Sequence, residues 1–436
     1  MAYLLNTDKQ VQEMLDTVGM SSLNELYSHM PKELMIDGLD IPAALGEIDI
    51  LRNFQNFADK NKVFTSIFRG AGAYRHYIPA VVPEMANKER FKTAYTPYQA
   101  EVSQGTLQSI FEFQTMICEI TGMDVSNASV YDGGSAAAEA VAMCRDRKKR
   151  RAYISAGVNP LVQATVKTYS WSYNAPIEIL PQTSEGLVDT EALANIDQKD
   201  VAAVLIQQPN YYGLIEDVPK IVEVAHSKGI KVIVSVNPIA AALLPSAGEC
   251  GADVAVGEGQ PLGLPLGFGG PYLGFMACKK SLLRAIPGRI VGETTDDQGR
   301  RAYVLTLQAR EQHIRRETAG SNVCSNQALC AITASVYMAA VGPRGMEDVA
   351  KQCYNKAHYL ANKLQEAGFK LRYSVPFFHE FVTESPVDTA KLMAHLERHG
   401  LLGGLPLNDG GILWCATEMN TKTEMDTLVD LCKEVN

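Results

Sequence analysis

Residues 201–236 decide the fold class, and they read V-A-A-V-L-I-Q-Q-P-N-Y-Y-G-L-I-E-D-V-P-K-I-V-E-V-A-H-S-K-G-I-K-V-I-V-S-V. The stretch has a β-rich apolar run at each end, Val201–Ile206 and Lys231–Val236. Between them the pattern predicts a helix over Val218–Lys228, which Gly229 closes. Strands that are apolar throughout are typical of a sheet covered on both faces. A strand–helix–strand unit of this kind favours parallel pairing.

The same alternation extends over the middle of the chain and predicts one large α/β domain over residues 61–323, with a mostly parallel sheet. A broad apolar face predicts a helix over Leu107–Gly122. Further β-rich runs occur at Tyr153–Ser155, Ile177–Leu180, Asp253–Val256 and Tyr272–Ala277.

Residues 1–60 differ in texture and predict a separate helical arm. Thr7 followed by Gln10 has the spacing of a capping box at a helix start. Gly19 stands where a helix end favours glycine. An arm of this kind usually packs on a partner or on its own body.

Residues 324–436 predict a smaller α+β domain. Two long helical runs, 325–341 and 346–367, are followed by short strands and a helix over 388–399. The strands are expected at Lys370–Tyr373, Glu380–Val382 and Gly411–Trp414.

Composition excludes several classes of function. The 40 basic and 49 acidic residues give a net charge of -9, which disfavours a nucleic-acid partner. The nine cysteines are odd in number and form no C-x-x-C pair, so we expect reduced thiols and a cytoplasmic protein. The apolar stretch Ala328–Val341 is too short to span a bilayer comfortably, and no membrane contact is expected.

The segment G-E-G-Q-P-L-G-L-P-L-G-F-G-G-P at 257–271 contains no lysine. A Schiff base with an aldehyde cofactor requires a primary amine, and the amide of Gln260 cannot form one. Asn237, after the strand Lys231–Val236, is neutral and cannot supply the carboxylate that keeps a pyridine nitrogen protonated. Its alternative role is that of a turn residue before Pro238.

A glycine-rich turn at Gly133, Gly134 and Ser135 leads into an alanine-rich helix. Free N–H groups at such a helix start can bind phosphate. The alternative is a tight turn with Ser135 as N-cap. The segment lacks the spacing of a P-loop or a dinucleotide fingerprint.

Two irregular loops, at 70–79 and 94–105, are rich in polar and aromatic side chains. Loops of this length inside a compact chain are often functional. His76 in the first loop and Tyr95, Tyr98 and Gln104 in the second are the candidate contact residues. The alternative is that the tyrosines only pack the loops.

Two basic clusters also occur. The run Arg145–Arg151 is expected to be a solvated helix end. Arg310, Arg315 and Arg316, with His313 nearby, could bind an anion or pair with Glu311 and Glu317. His395 and His399 lie four residues apart but lack the H-E-x-x-H pattern, so no metal site is predicted.

Four stretches resemble, in the same order, the P-protein family of the glycine cleavage system, glycine dehydrogenase (decarboxylating). The resemblance is to the N-terminal half, which is made as a separate subunit 1 in two-subunit forms. The stretches are A-Y-T-P-Y-Q-A-E-V-S-Q-G at 94–105, N-A-S-V-Y-D-G-G-S-A-A-A-E-A at 127–140, the run ending at Pro271, and R-E-Q-H-I-R-R-E-T-A-G-S-N-V-C-S-N-Q at 310–327.

The resemblance implies an aminotransferase-like fold, that of fold-type I enzymes dependent on pyridoxal phosphate. It also implies that only the C-terminal half carries the Schiff-base lysine. Counted back without gaps from G-G-P, Gln260 falls at the position of that lysine. The phosphate-loop-like turn 133–135 would then be a vestige without ligand, and no residue of this chain would be catalytic.

The family reaction decarboxylates glycine on pyridoxal phosphate and passes the aminomethyl group to the lipoyl arm of H-protein. The resemblance therefore implies a partner subunit 2 that binds the cofactor covalently, in a heterodimer that pairs into a heterotetramer. His76, Tyr95, Tyr98 and Gln104 would contact substrate or cofactor across the subunit interface.

Two alternatives remain open. One is an independent pyridoxal phosphate enzyme of the same fold, anchored on another lysine such as Lys228, Lys231, Lys279 or Lys280. The other is a structural scaffold that only stabilises subunit 2.

Overall fold

The computed structural model describes residues 5–36, 38–92 and 97–435. The helices are α1 to α13 in chain order: Asp8–Val18, Glu47–Ala58, Val81–Ala86, Glu89–Lys92, Gln104–Thr121, Gly133–Cys144, Pro160–Ser172, Thr190–Ala194, Val218–Ser227, Gln312–Arg315, Ala328–Glu366, Thr389–Arg398 and Lys422–Glu434. The strands are β1 to β15: Ser66–Ile67, Val125–Ser126, Arg151–Ser155, Ile177–Leu180, Val201–Gln208, Lys231–Val236, Val254–Glu258, Gly274–Cys278, Ile290–Thr295, Arg301–Thr306, Lys370–Leu371, Glu380–Glu384, Leu401–Leu402, Leu405–Pro406 and Gly411–Cys415.

The chain divides by its internal contacts into residues 1–63 and residues 64–436. In the first unit, α1 starts at the predicted capping box. The Gln10 N–H donates to Thr7 Oγ1 at 3.3 Å, and the Thr7 N–H donates to Gln10 Oε1 at 2.8 Å. Gly19 ends the helix in the left-handed conformation, with φ of 73°. The predicted start and end of this helix are therefore confirmed, and the separate helical arm over residues 1–60 stays a prediction.

The second unit is built on a seven-stranded sheet of order β2-β8-β7-β6-β5-β3-β4. Strands β4, β3, β5, β6 and β7 pair in parallel, whereas β8 and β2 are antiparallel to their neighbours. Leu205 of the central strand pairs with Ile154 on one side and with Ile233 on the other. Buried clusters cover both faces of the sheet, as the uniformly apolar strands predict.

All six predicted strands of the large domain are present, within two residues of their predicted ends. The antiparallel hairpin β9–β10 was not predicted, because polar residues such as Glu293 and Thr294 interrupt its apolar pattern. The predicted helix over Leu107–Gly122 begins three residues earlier, at Gln104.

The C-terminal region contains a four-stranded sheet of order β11-β12-β15-β14. The indole N–H of buried Trp414 donates to Thr383 Oγ1 at 2.8 Å across the β12–β15 pair. Helix α11 is two predicted helices in sequence, broken at Gly342, where φ is 62°. Buried residues of α11 up to Cys353 belong to the core of the large sheet, and those from Ala357 onward belong to the smaller core. The domain boundary at residue 324 stays a prediction.

Substitution of Gly213 by alanine tests the junction between the two sheets. Gly213 has φ of 84°, and an added Cβ would lie 1.9 Å from the backbone oxygen of Glu380. We expect Gly213→Ala to lower the free energy of unfolding by about 3 kcal/mol, from left-handed strain and overpacking together. Urea denaturation measures this value.

The matched control is Gly299→Ala. Gly299 has a similar φ of 76°, but nothing lies within 4 Å of the added Cβ. The control should lose only the part of the unfolding free energy that comes from left-handed strain, about 1 kcal/mol. Equal losses in the two variants would show that the close approach to Glu380 has no energetic importance.

Candidate active site

A pocket of about 440 Å³ lies at the carboxyl ends of the parallel strands, where ligands of such sheets bind. Residues at or after the ends of β5, β6 and β7 form its floor, the start of α6 forms one wall, and segment 70–74 forms another. The lining residues that bear on its chemistry are Tyr74, Asp132, Gly133, Gly134, Asn159, Gln207, Asn210, Ser235, Asn237, Glu258, Tyr272, His379 and Glu380.

Gln260 is 1% exposed, and its amide is fully engaged with backbone groups. The Tyr74 backbone N–H donates to Gln260 Oε1 at 2.9 Å, and Gln260 Nε2 donates to the Tyr74 backbone oxygen at 2.9 Å. Nε2 also donates to the Leu264 oxygen at 2.8 Å. The amide therefore ties segment 70–74 to the loop after β7, a task that needs both a donor and an acceptor.

The glycine-rich turn is bound by carboxylates of this chain. Asp132 is the N-cap of α6 and its Oδ1 accepts from the Ser135 N–H at 2.7 Å, so the prediction of Ser135 as N-cap is wrong. Asp132 directly precedes Gly133, the first residue of the helix. Its side chain therefore reaches the N–H of the third helical residue, Ser135, as an N-cap does. Glu258 Oε2 accepts from the Gly133 N–H at 3.0 Å.

Glu258 also accepts from two further backbone groups, with Oε1 3.0 Å from the nitrogens of Gln260 and Leu273. Burial raises its pKa to about 7 in spite of these bonds. A Cβ on Gly133 would lie 2.9 Å from the Glu258 backbone nitrogen, so glycine permits this approach. One of the helix-start donors is thus already taken by a protein carboxylate.

Asn237 lines the pocket but acts as a turn residue. Its Oδ1 accepts from the backbone N–H groups of Ile239 at 2.9 Å and Ala240 at 3.2 Å. This agrees with the alternative considered for Asn237 from the sequence. Among the described residues that line the pocket there is no lysine and no arginine.

The sequence did not single out a buried group formed by Tyr74, His379 and Glu380. The Tyr74 hydroxyl donates to Glu380 Oε2 at 2.8 Å, and the Ala71 N–H donates to Glu380 Oε1 at 2.6 Å. Burial raises the pKa of Glu380 to about 7 and lowers that of His379 to about 3. His379 and Glu380 are part of the run F-F-H-E-F at 377–381, which predicts an ordinary strand. The only signal in the sequence is the presence of two polar residues within an apolar run.

His76 lies inside the chain. Its Nδ1 is 2.8 Å from Glu418 Oε2, and its side chain is 2% exposed. Cys353 Sγ is 3.3 Å from the same carboxylate oxygen. His76 therefore fixes the 70–79 loop, and the neighbouring Arg75 and Tyr77 are exposed.

The other predicted contact residues are held apart from the pocket. The Tyr98 hydroxyl donates to Asn326 Oδ1, and the Arg289 guanidinium lies 4.1 Å from the centre of the Tyr98 ring. Gln104 exchanges two hydrogen bonds with the Tyr303 backbone, at 2.9 and 2.8 Å. Tyr95 lies outside the described residues. The structure therefore does not bring His76, Tyr98 and Gln104 together, and their roles stay predictions.

A family profile described as "Glycine cleavage system P-protein" matches residues 1–432. The chain belongs to the P-protein family of the glycine cleavage system. It is 45% identical to a probable glycine dehydrogenase (decarboxylating) subunit 1 of Desulfitobacterium hafniense, with 98% of both chains covered. It is 46% identical to the protein of the same description in Carboxydothermus hydrogenoformans, with 99% of each covered.

Among solved structures, the chain is similar to a P-protein glycine decarboxylase of the glycine cleavage system in inhibitor-bound form. The TM-score is 0.93 at 39% identity, and both chains are covered completely. A Lactobacillus brevis glutamate decarboxylase, at 14% identity and a TM-score of 0.69, shares the fold over 94% of this chain. The prediction of a fold-type I α/β architecture is confirmed.

Pyridoxal phosphate does not fit this pocket as a covalently held group. The pocket of this chain offers no amine, and Asn237 offers no carboxylate for a pyridinium. Glu258 and Asp132 stand at the helix start where a phosphate would need free donors. The charge of Asp132 would repel the phosphate, and Glu258 already occupies the Gly133 N–H.

Replacement of Gln260 by lysine tests whether the amide is structural. The lysine would leave the Tyr74 N–H without an acceptor and bury an ammonium group. We expect Gln260→Lys to lose about 3 kcal/mol of unfolding free energy in urea, and to gain no borohydride-fixed adduct with pyridoxal phosphate. The exposed Gln365→Lys is the control and should unfold as the parent does. A stable variant that forms the adduct would contradict this assignment.

The raised pKa of Glu380 predicts a pH effect on stability. With a folded pKa of about 7 against 4.5 for the free group, the folded state holds an extra proton between these values. The stability contributed by this group is therefore lost as pH rises from about 4.5 to 7. The Glu380→Gln variant cannot titrate there, so the stability of the parent should fall relative to the variant as pH rises from 5 to 7.

Thermal denaturation at a series of pH values measures this difference. The exposed Glu223→Gln is the control, and its difference from the parent should stay constant. A constant difference for Glu380→Gln as well would show that the buried carboxyl titrates as an ordinary one.

Proposed function

We propose that this chain is the subunit without the Schiff-base lysine in a two-subunit glycine dehydrogenase (decarboxylating). With a subunit 2 it would decarboxylate glycine on pyridoxal phosphate held by that partner, and pass the aminomethyl group to the lipoyl arm of H-protein. Relatives of similar length carry the description subunit 1, which supports a partner of this kind. The two chains would form a heterodimer that pairs into a heterotetramer.

The observation that carries this proposal is the buried amide of Gln260. It lies in the loop that follows β7, and its donors and acceptor are all used by the Tyr74 and Leu264 backbone. The chain alone therefore lacks the nucleophile for a covalent cofactor, and we expect it to be inactive by itself.

Other lysines do not support the alternative of an independent enzyme. Lys228 Nζ donates to the Ile196 oxygen at 2.9 Å, and Lys279 Nζ donates to the Gly251 oxygen at 2.7 Å. Neither these two nor Lys231 and Lys280 are among the described residues that line the pocket.

Exposed apolar side chains support an interface near the two candidate loops. Tyr77 of the 70–79 loop is 60% exposed, and Val102 of the 94–105 loop is 77% exposed. In the separate N-terminal unit, Phe54 and Phe57 are 66% and 59% exposed. Both regions offer surfaces that a partner subunit would cover.

Within this interface the candidate residues would have different tasks. The burial of His76 against Glu418 favours a positioning role, in which the ring keeps Tyr77 directed outward. Tyr98, half-buried between Asn326 and Arg289, is our choice for direct contact with substrate or cofactor. Gln104 would support the loop through Tyr303, and Tyr95 is assigned to contact from its place in the sequence alone.

The turn at Gly133, Gly134 and Ser135 is assigned as a vestige of a phosphate loop. The carboxylate of Glu258 on the Gly133 N–H supports this assignment. All nine cysteines are free thiols, which supports a reducing, cytoplasmic compartment. No helix in the described ranges is long and apolar enough to cross a membrane.

Exchange of labelled bicarbonate into glycine tests the division of labour. We expect exchange only when this chain and the lysine-bearing partner are mixed with lipoylated H-protein and pyridoxal phosphate. Borohydride should then fix the cofactor to the partner chain, as mass spectrometry of the separated subunits would show. Exchange by this chain alone, or an adduct on it, would refute the proposal.

Two variants separate a shared active site from a structural scaffold. Tyr98→Phe removes the hydroxyl that donates to Asn326, and His76→Ala removes the contact with Glu418. We expect each to lower exchange at least tenfold, a loss of about 1.4 kcal/mol of transition-state stabilisation, while the subunits still assemble on size exclusion. Tyr173→Phe and His399→Ala, at more exposed positions, are the controls. Full exchange in both test variants would favour the scaffold.

A further inference from the structure

A second cavity, of about 290 Å³, lies away from the pocket described above. Three parts of the chain meet there: the end of α6, the turn that follows β8, and the segment 310–323. Four arginines line it, namely Arg145, Arg284, Arg310 and Arg315. Arginines in this number around one small cavity are unusual, because like charges repel one another.

Three of these arginines donate hydrogen bonds to neutral groups of the chain. Arg145 Nη2 donates to Ser170 Oγ at 2.8 Å, and Arg310 Nη2 donates to the Gly288 oxygen at 2.8 Å. Arg315 Nε donates to the Ala309 oxygen at 2.9 Å. Within the described ranges, none of the four arginines has a carboxylate oxygen within 4.0 Å, the distance that defines an ion pair.

Two of the guanidinium groups also keep a buried donor without an acceptor. The Nε atoms of Arg145 and Arg310 are both buried and have no hydrogen-bond partner in the described structure. A buried N–H that lacks an acceptor destabilises the folded state. These two guanidinium groups, which belong to residues that line the cavity, therefore keep unused hydrogen-bonding capacity.

Two carboxyl groups line the same cavity but do not neutralise it. Glu311 Oε2 lies 3.3 Å from Arg289 Nη1 and 3.6 Å from His313 Nδ1, two residues outside the lining, whereas its buried Oε1 has no hydrogen-bond partner in the described structure. Glu139 is buried, and burial raises its pKa to about 7, so its charge is reduced near neutral pH. The balance in the cavity is therefore positive.

We propose that this cavity binds a phosphate group, either as inorganic phosphate or as the phosphate of a small monoester. A phosphate dianion carries more charge and more acceptor oxygens than a carboxylate. It is therefore the better ligand for four guanidinium groups. The volume is near the lower end for small-molecule sites and has room for a phosphate with a short substituent. The site is independent of the proposed function and of the glycine-rich turn, whose Gly133 N–H donates to Glu258.

Isothermal titration calorimetry of the full chain with inorganic phosphate, at constant ionic strength maintained with chloride, tests the proposal. We expect one phosphate per chain. Arg284→Gln and Arg315→Gln should each weaken binding about tenfold, a loss of about 1.4 kcal/mol. Arg147→Gln is the control, because Arg147 is exposed in the same basic run as Arg145 but does not line the cavity.

Parallel titrations identify the source of the phosphate. Tighter binding of glycerol 3-phosphate than of inorganic phosphate would indicate a monoester, and the reverse order would indicate the free ion; both support the proposal. Acetate should bind at least tenfold more weakly than phosphate. Thermal melting of each variant confirms that the fold is retained, and Arg284→Gln removes an exposed side chain whose loss should not affect folding.

Four results would overturn the proposal. One is a heat from the phosphate titration that is no larger than the heat from a titration with chloride. Another is unchanged phosphate affinity in both folded variants, and the third is an equal loss of affinity in Arg147→Gln. Acetate binding as tightly as phosphate would also overturn the phosphate assignment.

Discussion

The closure of the pocket over the large sheet depends on hydrogen bonds between buried side chains and the backbone of residues 70–74. Gln260 binds both the N–H and the oxygen of Tyr74, and Glu380 accepts from the Ala71 N–H and the Tyr74 hydroxyl. Asn159 adds a bond to the Ala71 oxygen at 3.0 Å. These groups lie out of water, where an unpaired donor or acceptor is expensive. A lysine at position 260 would leave the Tyr74 N–H without an acceptor, so the glutamine has a structural role of its own.

Helix α6 connects the two cavities of the large domain, and its ends carry opposite chemistry. At its start the partial positive charge of the helix is met by Asp132 and Glu258 of this chain, which leaves little affinity for a phosphate there. Near its end stand Arg145 and the arginines of the second cavity. The vestigial phosphate loop that we propose at the start of α6 and the phosphate cavity that we propose near its end therefore lie at opposite ends of one helix.

Much of the fold could be predicted from local patterns. The strands from Val201 and Lys231 are apolar on both faces, and a single property, hydrophobicity, is enough to place them in a covered parallel sheet. The helix breaks at Gly19 and Gly342 follow from the freedom of glycine at positive φ. The hairpin β9–β10 could not be predicted in this way, because its polar residues break the period and its pairing is a tertiary contact.

The candidate site was predictable only in part. The lack of an amine at Gln260 is a property of the residue type, so the sequence by itself determined that this chain cannot tether an aldehyde cofactor there. It did not determine what the amide does, that His76 points inward to Glu418, or that Glu258 binds the turn at Gly133. Each of these partners is distant in sequence, and Gln260 lies 186 residues from Tyr74. Only the tertiary structure decided them, because a hydrogen bond requires two groups within about 3 Å and the order of residues in a chain does not specify that distance.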